Sequence, residues 1–406
     1  MSAFQKVSIP YGGYWSTPFA KWQGSLANLH SMRLAAHVAK AELAKRKIPA
    51  TVFDHAIFGT TTPQRSAFYG LPWLMTMIGN PSVGGTVVSQ ACATSARALA
   101  TVAGDIEQGF GTTALCISQD RTSNSPVVMY PQPQAQGGAP MIEHWMLDNF
   151  STDPMGGPAM VGTAENCARD WQIGTDEQNE VVLRRWEQYE AALANDRAFQ
   201  KRYMTLPFEV PDAQFRKTVA TMPGDEGIRA STKEGLAKLK PVMEGGTVTY
   251  GGQTHPADGG AAIIMTTPEK ARELSKDPNI EISLKSYGQA RAKHAYMPAA
   301  PVPAARQALE RAGLDLKQID AVKTHNPFVV NDIVFARETG YDVNKMNNYG
   351  CSLIWGHPNG PTGMRLVIEI IEELAERGGG RGLFTGCAAG DTGMAVVVEV
   401  KDKRKQ

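Results

Sequence analysis

VVSQACATSARALATVAGDIEQGFGTTALCIS, residues 87–118, and IWGHPNGPTGMRLVIEIIEELAERGGGRGLFTGC, residues 354–387, follow one plan. Each opens on a turn that carries a chemically able side chain, Cys92 or His357, continues into a long amphipathic helix, breaks at glycine and enters a buried strand. One unit written twice in a chain of 406 residues points to duplicated α/β halves.

The flanking sequence supports that plan. Apolar residues at helical spacing predict a helix near 29–47, and β-branched or apolar runs predict strands near 52–59 and 83–90. After residue 280 the alternation returns, with strands near 280–287, 319–324, 382–386 and 394–400 and helices near 303–312, 328–339 and 361–377. Strands alternating with helices favour sheets covered by helices. Between these parts lies a Pro/Gly/Gln-rich region with a polar helix near 176–195, which reads as an inserted loop domain. The expected organisation is therefore an N-terminal half over 1–120, an insertion over 121–250 and a C-terminal half over 251–406.

Composition excludes several classes. The 41 basic and 40 acidic residues nearly cancel, and the only basic cluster is the short tail at 401–405, so the footprint of a nucleic-acid binder is missing. No segment reaches the roughly 18 apolar residues of a membrane span, and the N-terminal stretch lacks a leader pattern. The five cysteines are odd in number, scattered and without a CxxC pair, which argues against a disulfide framework or a structural zinc site and for a reducing, cytoplasmic setting.

Cys92 sits where a strand hands over to a helix among small residues, so free N–H groups and the helix dipole are expected to favour its thiolate. Alone it reads more readily as a packed core cysteine. His357 lies in the glycine-rich loop GHPNGPTG ahead of a helix, Cys387 opens GCAAGDTG at a strand end, and His325 in THNPF ends another strand. Each has a bland structural reading by itself. Together they place two cysteines and two histidines at strand ends, where open α/β sheets build their sites. A Cys–His pair is a minimal nucleophile and base, and a second Cys can move the proton that carbanion chemistry requires. Cys351 is a candidate neighbour of His357, and Cys116 and Cys167 read as packing residues.

With SQACATSARAL, VGTAENCARDW, KLKPVMEGGTVTYGGQTHPADGGAA, GHPNGPTG and GCAAGDTG in order, the chain resembles the thiolase superfamily along nearly its whole length. The resemblance implies the thiolase fold, an α/β architecture of two βαβαβαββ halves packed as α/β/α/β/α layers around the insertion. It implies a Cys92 nucleophile, a His357 base that also donates to the thioester oxygen, and a Cys387 acid/base at the α-carbon. His325 stands where the family usually has Asn, closer to the HDCF pattern of sterol-carrier-protein-type thiolases, and is implied as an oxyanion donor. Ala389 replaces the second Gly of the CxG run and puts the position of a backbone donor in question. Thr254 matches a pantetheine contact, Arg229 a contact of the nucleotide end, and Met155 with Gly156 and Gly157 the tunnel wall. Trp355, Tyr349, Trp145 and Phe150 would suit a bulky acyl group, though each is also ordinary core material. The implied ligands are acyl-CoA and coenzyme A as substrates, with no metal in this chain. The implied assembly is a homodimer core. Within the family the likeness reaches to degradative enzymes for aromatic substrates such as benzoylsuccinyl-CoA, which work with a small zinc-binding OB-fold partner. The rivals are a retro-aldolase or a non-catalytic CoA- or lipid-binding protein of the same fold.

Overall fold

A computed structural model describes residues 4–405. Its principal sheet runs in the order Ala321–His325, Gly379–Ala388, Thr392–Asp402, Ile280–Arg291, Ser8–Pro10, Ala257–Thr266, Thr113–Arg121, His55–Gly59, Thr86–Val88. Two short strands, Tyr14–Ser16 and Ala20–Lys21, pair alongside Ala257–Thr266. The sheet is two half-sheets joined at Ser8–Pro10, which pairs through three residues with Ile280–Arg291 and through Ser8 alone with Thr266. In each half the outer strands are parallel, as crossover helices require: His55–Gly59 with both Thr86–Val88 and Thr113–Arg121, and Ala321–His325 with Gly379–Ala388.

Side-chain alternation separates the layers. Along Thr113–Arg121, Leu115 and Ile117 join a cluster with Leu34, Val38 and Leu74 of the helices Ser31–Lys45 and Gly70–Ile78. Their neighbours Ala114 and Cys116 face the opposite side, toward Leu99 and Val102 of the helix Thr94–Gln108. In the second half Ala395 and Val397 meet Ala305 and Ala308 of the helix Pro301–Ala312, while Val396 and Val398 face Leu366 and Ile370 of the helix Thr362–Arg377. The helices Thr94–Gln108 and Thr362–Arg377, the two written into the repeated stretches, thus share the middle layer between both half-sheets. They end at Gly109 and Gly378, both left-handed at φ 78° and 88°, where glycine carries no Cβ penalty.

Ala257–Thr266, lying past residue 251, hydrogen-bonds along its whole length to Thr113–Arg121 and so belongs to the first half's sheet. Its glycines are required by contact. A Cβ on Gly259 would stand 2.3 Å from the Phe19 ring, and one on Gly260 1.8 Å from Gln119 Oε1. Residues 121–250 form two small hairpins, Val127–Tyr130 with Met141–His144 and Phe208–Pro211 with Thr218–Met222, and the helices Met160–Asp170 and Thr175–Lys201, the latter broken at Ala194–Arg197. Among the described residues no helix is long and apolar enough to cross a membrane.

Candidate active site

The turn before the helix Thr94–Gln108 is tight. Ala93 and Thr94 N–H donate to the carbonyls of Gln90 and Ala91, Thr94 Oγ1 bonds Ala91 O at 2.7 Å, and Gln90 N–H returns to Thr94 Oγ1 at 2.8 Å. Ala91 is held at φ 44°, an unfavourable conformation for a residue with a Cβ, and Cys92 follows on the half-buried crest. On the other side His357 is bridged in parallel to the stretch around Pro256. Its N–H donates to His255 O at 2.9 Å, and its carbonyl accepts from Ala257 N–H at 3.2 Å. Gly356, at φ 93°, leaves no room for a Cβ, which would meet His255 Nε2 at 2.8 Å.

The two loops are tied together. Ser95 N–H donates to Gly360 O at 3.3 Å and Ser95 Oγ accepts Met364 N–H at 2.9 Å. Beneath them Asp120, fully buried, accepts from Gly360 N–H at 3.0 Å and from Thr60, Thr61 and Thr62. Burial pushes its carboxyl up to about 6 against these donors. Sequence reasoning missed Asp120, because nothing in SQDR marks an aspartate that anchors a loop 240 residues away.

The resulting cluster brings together the four residues expected to carry chemistry. One nitrogen each of His325 and His357 and Cys92 Sγ all lie within 4.8 Å of one another, and the two imidazole centroids are 4.0 Å apart with the rings tilted by 32°. Each ring has one fixed end: His325 Nδ1 is 2.9 Å from Ser352 Oγ, and His357 Nδ1 is 2.6 Å from Thr362 Oγ1. Both Nε2 atoms are buried with no hydrogen-bond partner. Burial lowers His325 to about 3 and drives His357 well down too, with His325 beside it as the second cause, so both rings are neutral. Cys387 is buried on the same side. Its Sγ takes Asn331 Nδ2 at 3.2 Å, and burial, then the nearby Cys92, raise its thiol. Asn331 Oδ1 accepts Phe328 N–H at 3.3 Å, which fixes the amide so that its NH2 points at the sulfur.

Burial decides the state of Cys92. The expectation of a resting thiolate is corrected: desolvation pushes the thiol up to about 12, against the lowering effect of the Ala389 N–H bonded to the sulfur. The Ala389 backbone N–H thus faces the Cys92 sulfur, although its side chain departs from glycine.

The remaining expected residues divide. Thr254 bonds Ser352 O through its hydroxyl and Pro327 O through its N–H, so it braces the two loops that hold His325. Met155 is exposed at the rim with its sulfur 3.1 Å from Arg291, and Arg229 is exposed and unpaired among the described residues. Trp355 is corrected. It is fully buried, edge-on to Phe19 with the Arg365 guanidinium 4.1 Å from its ring, so its indole packs into the core beside that ion-pair network. Cys351 neighbours the His325 loop instead of His357, accepting Asn326 Nδ2 at 3.2 Å. Trp145 donates Nε1–H to Thr61 O at 2.9 Å, on the loop whose Thr61 N–H bonds Asp120.

Two family models match, "Thiolase, N-terminal domain" over residues 14–269 and "Thiolase, C-terminal domain" over residues 279–400. An acetyl-CoA acetyltransferase of Pseudomonas aeruginosa is 30% identical over 402 residues, covering 94% of this chain and 96% of that one. A beta-ketothiolase of Cupriavidus necator is 28% identical over 391 residues, with 94% and 96% covered. Among solved structures, human mitochondrial 3-ketoacyl-CoA thiolase in complex with CoA superposes with a TM-score of 0.87 at 26% identity, covering 98% of this chain and 99% of that one. The Bacillus anthracis acetyl-CoA acetyltransferase does so at 0.87 and 25%, covering 98% and 100%. Likeness from end to end, over both repeated units and the insertion, leaves one assignment: the chain belongs to the thiolase family of acyltransferases.

Proposed function

We propose that this chain cleaves a 3-oxoacyl-CoA with coenzyme A through an acyl group carried on Cys92. The observation that carries the reading is the meeting of Cys92, His357 and His325 within 4.8 Å, with Cys387 behind them. As Cys92 Sγ attacks the 3-keto carbon, its proton passes to His357 Nε2, the free end of a ring anchored at Nδ1 by Thr362. The C2–C3 bond breaks, its electron pair goes to C2 of the departing CoA ester, and Cys387 supplies the proton there. The thiol of a second coenzyme A then attacks the acyl-Cys92 carbonyl, gives its proton to Cys387 and releases Cys92.

Two oxygens gain charge along this route. The Ala389 N–H at Cys92 serves the tetrahedral oxygen. His325 and His357 Nε2 face the thioester oxygen; His325 donates when the Ser352 hydroxyl turns to its Nδ1, so that Nε2 carries the hydrogen. Thr254, Arg229 and Met155 mark the path of the pantetheine chain and nucleotide. Five free thiols support a reducing, cytoplasmic setting. The sheet's edge strand Thr86–Val88, with exposed Val87 close to Gly70 and to exposed Phe68 and Tyr69, supports pairing with a second copy.

An aromatic acyl group, as in benzoylsuccinyl-CoA, now rests on Trp145 alone among the aromatics shown at the loops. The test is intact mass of wild type and Cys92→Ser after incubation with a panel of acyl-CoAs, acetyl-CoA and benzoyl-CoA included. An adduct on wild type that is absent from the variant is expected, and the member of the panel that leaves it names the acyl class. No adduct with any member, the chain being folded, would overturn the reading.

A further inference from the structure

Three donors stand where a cation would complete them. Cys92 Sγ and one nitrogen of each of His325 and His357 form the only group of three or more such ligands that meets metal spacing among the described residues. A tetrahedral ion with bonds of about 2.0–2.3 Å holds its ligand atoms about 3.5 Å apart, so the cluster closes by about 1 Å at its widest. The half-buried Cys92 side chain supplies that closure by rotating about its Cα–Cβ bond, without moving its turn.

The histidines are already dressed as ligands. A metal-bound imidazole usually donates its other N–H to an oxygen, which fixes the ring. Thr362 Oγ1 and Ser352 Oγ stand at the two Nδ1 atoms, and the Ser352 hydroxyl can spend its own hydrogen on Asn326 Oδ1 at 3.1 Å, leaving a lone pair for His325 Nδ1–H. Both Nε2 lone pairs then point, buried and unpartnered, into the same space. His325 is the deciding residue. With an Asn at position 325, one sulfur and one imidazole would remain. With His325 there are three soft or borderline donors and an open fourth position, the donor set that selects Zn2+ over Mg2+ or Ca2+.

We propose that Cys92, His325 and His357 form a binding site for a thiophilic divalent cation of the Zn2+ class, and that its occupation switches the enzyme off. Coordination replaces the Cys92 thiol proton, which leaves to solvent, and ties up both the nucleophile and its base. The fourth position takes water, or the sulfur of coenzyme A. The site itself stands on the geometry; the inhibition rests on the acyl-transfer reading.

The test uses the full chain, stripped with chelator and titrated with Co2+ followed by absorption. One Co2+ per chain is expected, with a thiolate-to-cobalt charge-transfer band that is absent from Cys92→Ser and present in Cys387→Ser. His325→Asn should weaken binding by at least the roughly 10–100-fold that loss of even an outer-shell partner costs. Zn2+ should bleach the cobalt spectrum and stop thiolysis, and chelator should restore it. Absence of the band, its persistence in Cys92→Ser, or unchanged affinity in His325→Asn would overturn the site. A cobalt band in a protein that forms no acyl adduct would uphold the site and overturn the acyl-transfer reading.

Discussion

Cys92 should react as a buried thiol and not as a thiolate, and its pH profile tells the two apart. An ordinary cysteine ionises near pH 8.5, so roughly a tenth of it is thiolate at pH 7.5; a group pushed up to about 12 is ionised at roughly 3 × 10⁻⁵, over a thousandfold less. Since the thiolate is the species that alkylates, the rate with iodoacetamide should climb about tenfold per pH unit from 7 to 10 and show no plateau. The assay is mass-resolved alkylation at Cys92 over that range, with Cys92→Ser as blank. Acylation by substrate must behave differently, because His357 Nε2 takes the proton as the carbon–sulfur bond forms and no standing thiolate is needed. His357→Asn should therefore abolish acylation at neutral pH and leave the steep alkylation profile in place. A plateau below pH 9 in wild type would refute the reasoning, for it would mean that the helix terminus and the Ala389 N–H outweigh burial.

Three further outcomes follow from the surrounding groups. Asp120 is held above the ordinary carboxylate range, so it is the charged form that folding penalises; the stability that protonation brings is full below about pH 4 and is lost as pH rises through about 6. Denaturant unfolding of wild type should accordingly lose about 2 kcal/mol relative to Asp120→Asn between pH 4.5 and 7.5, and a flat difference would contradict the assignment. Arg365, fully buried, pairs with Asp225 at 2.7 and 2.8 Å and with Glu369 at 3.1 Å; Arg365→Ala strands Asp225, while Glu369 keeps Lys323, and should cost about 3–5 kcal/mol in the same assay. Asn331→Ala removes the donor to Cys387 and should slow deuterium exchange at the α-carbon of a bound acyl-CoA by roughly tenfold, while Cys92 acylation measured by mass is unchanged.

What the sequence revealed and what it hid have physical reasons. The repeated helices and their glycine stops were legible because helical spacing and a left-handed cap are local properties, visible in 15 or 16 residues. The strand Ala257–Thr266 was not: its Gly259 and Gly260 are strand-breaking by propensity and are demanded by Phe19 and Gln119, residues far away in sequence. Trp355 looked like a pocket wall because it adjoins His357. The short helix Ser352–Trp355 turns it inward onto Arg365 instead. Type and position at strand ends singled out the four residues that the fold brings together, whereas Asp120, Asn331, Ser352 and Thr362, which hold them, are common residues made significant only by the partner each meets. The charge state of Cys92 failed for a related reason, since a helix N-terminus shows in sequence and depth of burial does not.

Duplication explains why the site needs both halves. One copy of the unit supplies a thiol at a helix start and the other an imidazole at the matching place, and neither side chain has its reactive partner within its own half. They meet because the helices Thr94–Gln108 and Thr362–Arg377 share the middle layer and are pinned near their first turns. Ser95 gives its N–H to Gly360 O and takes Met364 N–H on its hydroxyl, at a point where a Cβ on Gly363 would already press Ser95 Oγ at 3.1 Å and Phe384 at 3.0 Å. The separation of Cys92 from His357 is thus set by packing between halves. That packing is braced by buried charge, with Lys323 of the second half's sheet and Arg365 both bonded to Glu369, and Arg365 tied to Asp225 of the insertion. Such a network is costly to build and more costly to break, so it contributes less to net stability than to fixing one arrangement of three parts of the chain. The proposed reaction, which moves a proton between Cys92 and His357 and then uses Cys387, is sensitive to displacements of about 1 Å, so braced backbone on both sides of the site bears directly on its rate.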